Sequence, residues 1–212
     1  MSTDAEWPRK LRCCLIAQRA GCRGRLEETV EAALGAGVGA VQLREKQAAT
    51  RELFDLARML RVVTRRYDAL LLINDRADVA LAVEADGVHL GWQSMPVDQV
   101  RRLVGGDRLI GKSVHNLEEA RAAAADGVDY VFAGPVFDTP SKAGVVPTLG
   151  LDGLRAICRE IDLPVIGLGG IDSSSAAEVV ATGARGVAVI RAILAAADPA
   201  GAAAGLLATL AD

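Results

Sequence analysis

The stretch "GAGVGAVQL" (35–43) returns in altered form at "EADGVHL" (84–90), "AADGVDYV" (124–131) and "ATGARGVAV" (181–189). In each, a Gly ends a helix-like run, a small turn follows, and a Val-containing strand begins. Gly suits such a joint because it accepts the left-handed backbone that closes a helix. The phrase therefore marks one βα joint used repeatedly, and not a set of separate domains.

Working outward from these joints, eight short β-rich apolar runs come into view. They are "LRCCLIA" (11–17), "GAVQLR" (39–44), "ALLLIND" (69–75), "GVHLG" (87–91), "RLIGKSV" (108–114), "DYVFAG" (129–134), "PVIGLG" (164–169) and "GVAVI" (186–190). Between them lie stretches with helical spacing, such as "LEETVEAALGAG", "RELFDLARMLRVVTRRY" and "LEEARAAAADG". Asn116 is placed to cap one helix, and Asp172 or Ser173 another. Eight alternating units with no linker predict an α/β fold, a closed single-domain (β/α)8 TIM barrel over 1–212. The rival is an open doubly wound sheet, and the regular count of eight favours the barrel.

Composition narrows the function classes. The chain has 212 residues, 51% of them hydrophobic and only 3% aromatic, so a core of Ala, Val, Leu and Ile is expected. The net charge is -3 and no dense basic block occurs, which argues against nucleic acid as a partner. Cys13, Cys14, Cys22 and Cys158 form no C-x-x-C pair and read as thiols without zinc. The opening "MSTDAEWPRK" lacks a secretory signal pattern, and no apolar run is long enough for a membrane span. A cytoplasmic protein with no membrane partner is expected, and a homo-oligomer is left open.

A barrel gathers residues at the C-terminal ends of its strands around one site. Here that ring would hold Gln42, Arg44 and Lys46 from the second strand, and Asn74, Asp75 and Arg76 from the third. The fourth gives His89 and Gly91 to Ser94. The fifth gives Lys112, Ser113 and His115. The sixth gives Gly134, Pro135 and the loop "VFDTPSKAG", the seventh "GLGGI" (167–171), and the eighth Ile190 and Arg191. The set is rich in cations, hydroxyls and glycines and poor in inward acids. It suits an anionic ligand such as a phosphate or diphosphate, which glycine-rich backbone can approach closely. His89 alternates within a strand and reads as a satisfied structural histidine. His115 precedes a helix cap, where a cap contact competes with chemistry. Lys112 at a strand end has the chemistry for a Schiff base, but nothing else supports aldolase function.

The landmarks "VQLREK", "IND", "ADGVHLG", "GKSVHNLEEA", "VDYVFAGPVFDTPSK", "PVIGLGGI" and "GARGVAVIRAI" occur in this order. Together they resemble the thiamine phosphate synthase and thiazole tautomerase family. The resemblance implies a transferase that joins hydroxymethylpyrimidine diphosphate to thiazole phosphate, with Mg²⁺ as cofactor and small phosphorylated substrates. It implies that Gln42, Arg44, Lys46 and Asn74 contact the pyrimidine diphosphate and that Asp75 is a metal ligand. Ser113 and Lys142 would face the diphosphate. Thr139, Ser141, Gly170, Ile190 and Arg191 would hold the thiazole phosphate.

The chain departs from that pattern in places. In "GWQS" (91–94), Ser94 stands where the synthases carry a second Mg²⁺-binding Asp, and Trp92 replaces a small polar residue. Arg191 stands where Ser is usual. "GPVF" keeps the synthase-type Pro135, whereas the tautomerase uses a His there. Two alternatives follow. One is a thiazole phosphate tautomerase using His89 or His115 as proton carrier. The other is a non-catalytic protein that binds thiazole phosphate or thiamine phosphate.

Overall fold

Each predicted strand is apolar on both faces, as expected of parallel strands covered on one side by helices and on the other by a barrel interior. The computed structural model describes residues 6–139 and 147–210 and bears this out. Its strands are β1 (Cys13–Ala17), β2 (Ala40–Leu43), β3 (Leu70–Asn74), β4 (Gly87–Leu90), β5 (Leu109–Val114), β6 (Tyr130–Ala133), β7 (Val165–Leu168) and β8 (Gly186–Val189). All neighbours pair in parallel, and β8 pairs with β1 to close the barrel. The open doubly wound sheet is thereby excluded.

The helices described are α1 (Trp7–Lys10), α2 (Leu26–Gly35), α3 (Thr50–Arg66), α4 (Ala77–Ala82), α5 (Val97–Val104), α6 (Leu117–Ala125), α7 (Gly150–Glu160), α8 (Ala176–Val180), α9 (Arg191–Leu194) and α10 (Pro199–Leu210). None of them is long and apolar enough to cross a membrane. Asn116 caps α6 as expected, accepting from the Glu119 N–H at 2.8 Å. The other expected cap lies later than Asp172 or Ser173. Those residues form a turn in which Asp172 accepts from the Ser174 N–H at 2.9 Å, and α8 begins only after Ser175.

Alternation of side chains across each strand divides the core in two. Cys14, Ile16, Ala40, Leu70, Leu72, Tyr130, Phe132, Ile166 and Ala188 pack inside the barrel. Their neighbours, among them Leu15, Val41, Leu43, Leu71, Ile73, Val131 and Val187, pack outward against the helices. The short helix α1 closes the base, with Leu11 just beyond it in the inner cluster and Trp7 6.4 Å from the Tyr130 ring.

The repeated joint holds in three of its four copies as read. Gly37, Gly127 and Gly183 each lie three residues before a strand with positive φ. In "EADGVHL" the equivalent residue is Glu84, with φ of 52°, while Gly87 is already in β4. The shared "DGV" letters are thus offset by three residues in space. The true counterpart of Asp86 is Asp129, each standing immediately before its strand. Asp86 accepts from the Leu71 N–H at 2.7 Å and from Arg61 at 2.6 Å. Asp129 accepts from the Ile110 N–H at 2.7 Å and from Arg101 at 2.6 Å.

Candidate active site

Register places the inward residues of β2 to β5 in a polar layer above the apolar interior. Gln42 is buried, and its Nε2 donates to Asn74 Oδ1 at 3.0 Å. Its own Oε1 has no partner among the described residues. Asn74 Nδ2 donates to Asp75 Oδ2 at 2.6 Å. Asp75 holds a left-handed backbone, with φ of 60°, which turns the chain out of β3 at the mouth. Its Oδ1 accepts from the Gly91 N–H at 3.2 Å and from the Ser94 hydroxyl. Gly91 N–H also donates to Ser94 Oγ at 2.6 Å. Ser94, read from sequence as a gap in a metal site, is therefore tied to the one carboxylate beside it.

Arg44 follows β2 and is half-buried. Its Nη1 donates to Gln18 Oε1 at 3.1 Å, and it forms no ion pair among the described residues. Burial lowers its pKa, while the charge of Asp75 opposes that shift. Lys46 lies in the exposed turn beyond. Glu45 points away from the site, accepting from Arg19 Nε at 3.2 Å. Arg44 and Glu45 thus turn to opposite sides, as successive residues at a strand end do.

His89 and Ser113 complete the layer. His89 is buried, with Nε2 2.9 Å from Ser113 Oγ and Nδ1 3.2 Å from the Tyr130 hydroxyl. It packs against Phe132 at 4.2 Å between ring centroids. Burial pushes its pKa down to about 3, opposed by the charge of Asp75. Sequence reasoning saw a structural histidine here and missed Tyr130. The two lie 41 residues apart in the chain, and only barrel register makes them neighbours.

Two ring residues turn away from the mouth, and a third makes a contact on the helix-cap side. Lys112 shares the outer face of β5 with Ile110 and Val114, and pairs with Asp126 at 3.0 Å. An amine committed there is no Schiff-base nucleophile for the barrel mouth. Arg76 bonds Asp78 at 2.6 Å and Thr50 at 3.3 Å, on the helical layer. His115 makes the cap-side contact, its Nδ1 2.9 Å from Glu119 Oε2.

The segment after β7 is shaped by the loop after β6. Gly170 has φ of 67°, and a Cβ there would lie 2.7 Å from Phe137 Cβ and 2.9 Å from the Asp138 carbonyl oxygen. Phe137 N–H donates to the Gly169 carbonyl at 3.0 Å. The glycine is thus required by packing as well as suited to an anion. Ile190 and Arg191 open α9 beside this segment, because β8 pairs with β7, and Arg191 is exposed. Thr139 is described and half-buried after the β6 loop; Ser141 and Lys142 lie outside the described residues.

For a metal, the donor set is thin. Among the described residues no three His, Cys, Asp or Glu side chains gather in one place. Asp75 and the Ser94 hydroxyl do offer hard oxygens, and Asp75 has accepting capacity beyond its three donors. That set fits Mg²⁺ carried mainly by substrate phosphates and water, which needs only one or two protein carboxylates.

Both the sequence and the fold have known relatives. A family model described as thiamine monophosphate synthase matches residues 13–193. A thiamine-phosphate synthase of Chloroflexus aurantiacus is 49% identical over 177 residues, covering 83% of this chain and 82% of that protein. One from Moorella thermoacetica is 47% identical over 176 residues, covering 83% and 84%. The solved thiamine phosphate pyrophosphorylase of Pyrococcus furiosus superposes with a TM-score of 0.89 at 41% identity, covering 96% of each chain. With its barrel, its polar mouth and these relatives in agreement, the chain belongs to the thiamine monophosphate synthase family.

Proposed function

We propose that this protein is a thiamine phosphate synthase. It joins a hydroxymethylpyrimidine diphosphate to a thiazole phosphate and releases diphosphate. The observation that carries this reading is the pairing of two unspent groups at the mouth. Among the described residues, Arg44 is a half-buried cation without a carboxylate partner, and Gln42 Oε1 is a buried acceptor without a donor. A ligand with both an anionic tail and a hydrogen-bonding ring would satisfy them together.

In this reading Gln42 and Asn74 orient the pyrimidine. Arg44, Lys46 and Ser113 hold the diphosphate oxygens, joined by Lys142. The bond between the pyrimidine methylene carbon and the diphosphate oxygen breaks, and its electron pair leaves on the diphosphate. The thiazole nitrogen then donates its lone pair to the methylene carbon, forming the new C–N bond. Arg44, half-buried at the mouth, stabilises the departing charge with little reorganisation. Thr139, Ser141, the Gly170 backbone, Ile190 and Arg191 hold the thiazole phosphate close enough for capture. Asp75 would hold Mg²⁺ when it is bound, and the metal would supply further neutralisation of the diphosphate charge.

The whole of 1–212 is read as one barrel domain, acting in the cytoplasm on small phosphorylated substrates. The test is direct. Purified protein with both substrates and Mg²⁺ is assayed for thiamine phosphate by chromatography. Product that depends on both substrates supports the reading; none at high enzyme concentration removes it.

A further inference from the structure

We propose that Tyr130 and His89 are positioning residues that fix the Ser113 hydroxyl as a hydrogen-bond donor toward the barrel mouth. This rests on the reading that Ser113 faces a substrate oxygen.

The argument follows the protons. The Tyr130 hydroxyl is fully buried, and its one hydrogen-bond partner among the described residues is His89 Nδ1, at 3.2 Å. A buried phenol proton left without an acceptor is costly, so Tyr130 donates and Nδ1 accepts. A neutral imidazole that accepts at Nδ1 carries its proton on Nε2. Neutrality follows from the surroundings: the ring is enclosed by Tyr130 and Phe132 and, among the described residues, contacts no carboxylate oxygen. The depressed pKa of His89 agrees.

Nε2–H then donates to Ser113 Oγ at 2.9 Å. The Ser113 oxygen is occupied as an acceptor, and its own O–H is left to point at a ligand. An anionic phosphoryl oxygen requires a donor at that place. With the opposite tautomer, Ser113 would donate to Nε2 and present lone pairs to the anion.

The fold is built around this chain of bonds. Tyr130 pairs in register with Gly111 on β5, and a Cβ at Gly111 would lie 2.1 Å from Tyr130 Cζ. The ring crosses β5 where a side chain would otherwise stand. That crossing brings the hydroxyl to His89.

Two measurements test the proposal. Long-range ¹H–¹⁵N NMR of labelled wild type reads the His89 tautomer directly; the only other histidine, His115, is assigned with a His115→Gln variant. Protonation at Nε2 is expected, and protonation at Nδ1 overturns the proposal. Next, Tyr130→Phe, Ser113→Ala and the double variant are compared. Tyr130→Phe should lower kcat/KM by about tenfold, the worth of one hydrogen bond. In the Ser113→Ala background it should cost almost nothing further. Fully additive losses, or no loss in Tyr130→Phe, would mean the phenol does not act through Ser113. If wild type makes no thiamine phosphate, the functional reading fails separately. The NMR result still stands, and inorganic diphosphate binding by calorimetry replaces kcat/KM in the comparison.

Discussion

At the base of the barrel, Asp86 and Asp129 each accept from an arginine and from a backbone N–H of the preceding strand. At the mouth, among the described residues, Asp75 accepts only from neutral donors, namely Asn74, Ser94 and the Gly91 backbone. Arg44, close enough to sense the charge of Asp75, bonds to the neutral amide of Gln18 instead. At the base, opposite charges meet in pairs and tie strand to helix. At the mouth, they are held apart by neutral groups and kept for something else. Stability and function thus sit at opposite ends of the same strands, as the barrel architecture encourages.

The base should be the easier end to damage by stability. Asp86→Ala leaves the Leu71 N–H without its acceptor, and leaves Arg61, whose side chain is only 9% exposed, without its carboxylate, with only the Glu84 carbonyl at 3.4 Å in its place. Breaking this half-buried pair should cost about 1–3 kcal/mol in denaturant unfolding, with turnover per folded molecule unchanged. Lost turnover at full stability would break the division between the two ends.

The mouth should respond the other way. Arg44→Ala should lower kcat/KM by about 10²–10³-fold, the range for removing one preorganised charge partner. The denaturation midpoint should hold or rise, because a partly desolvated cation is removed. A fall in stability without a fall in activity would place Arg44 with the structural charges.

A smaller effect sharpens the comparison through pH. His89 titrates near 6.5 when unfolded but is pushed down to about 3 in the folded protein. Below 6.5 the unfolded chain binds a proton that the folded chain refuses. Its stabilising contribution is therefore intact above pH 6.5 and is lost as pH falls toward 3, by up to about 1.4 kcal/mol per pH unit. Unfolding free energies of wild type and His89→Asn, measured from pH 7 to pH 4.5, should show the shallower slope in the variant. Equal slopes would mean that His89 is protonated in the fold.

Much of this was legible in the chain. The eight strands, their order and the cationic run after β2 follow from local signals: apolar runs on a parallel sheet, and Gly at helix ends. Gln42, Arg44, Asn74, Asp75 and Ser113 do gather at one mouth because they end consecutive or neighbouring strands. Lys112 did not, and the reason is parity. On β5 the odd residues Leu109, Gly111 and Ser113 face inward, so Lys112 must face the helices. A strand end alone does not reveal which side a residue takes.

The sequence by itself determined the repeat, the closed count of eight and the residue types available at the mouth, since each depends on neighbours along the chain. Tertiary structure alone decided which of them meet. Gln42 with Asn74, Asp75 with Ser94, and Tyr130 with His89 and Ser113 are joined across strands by the stagger of the barrel. Hydrogen bonding depends on separations of a few ångströms, and such separations between distant residues exist only once the sheet has closed.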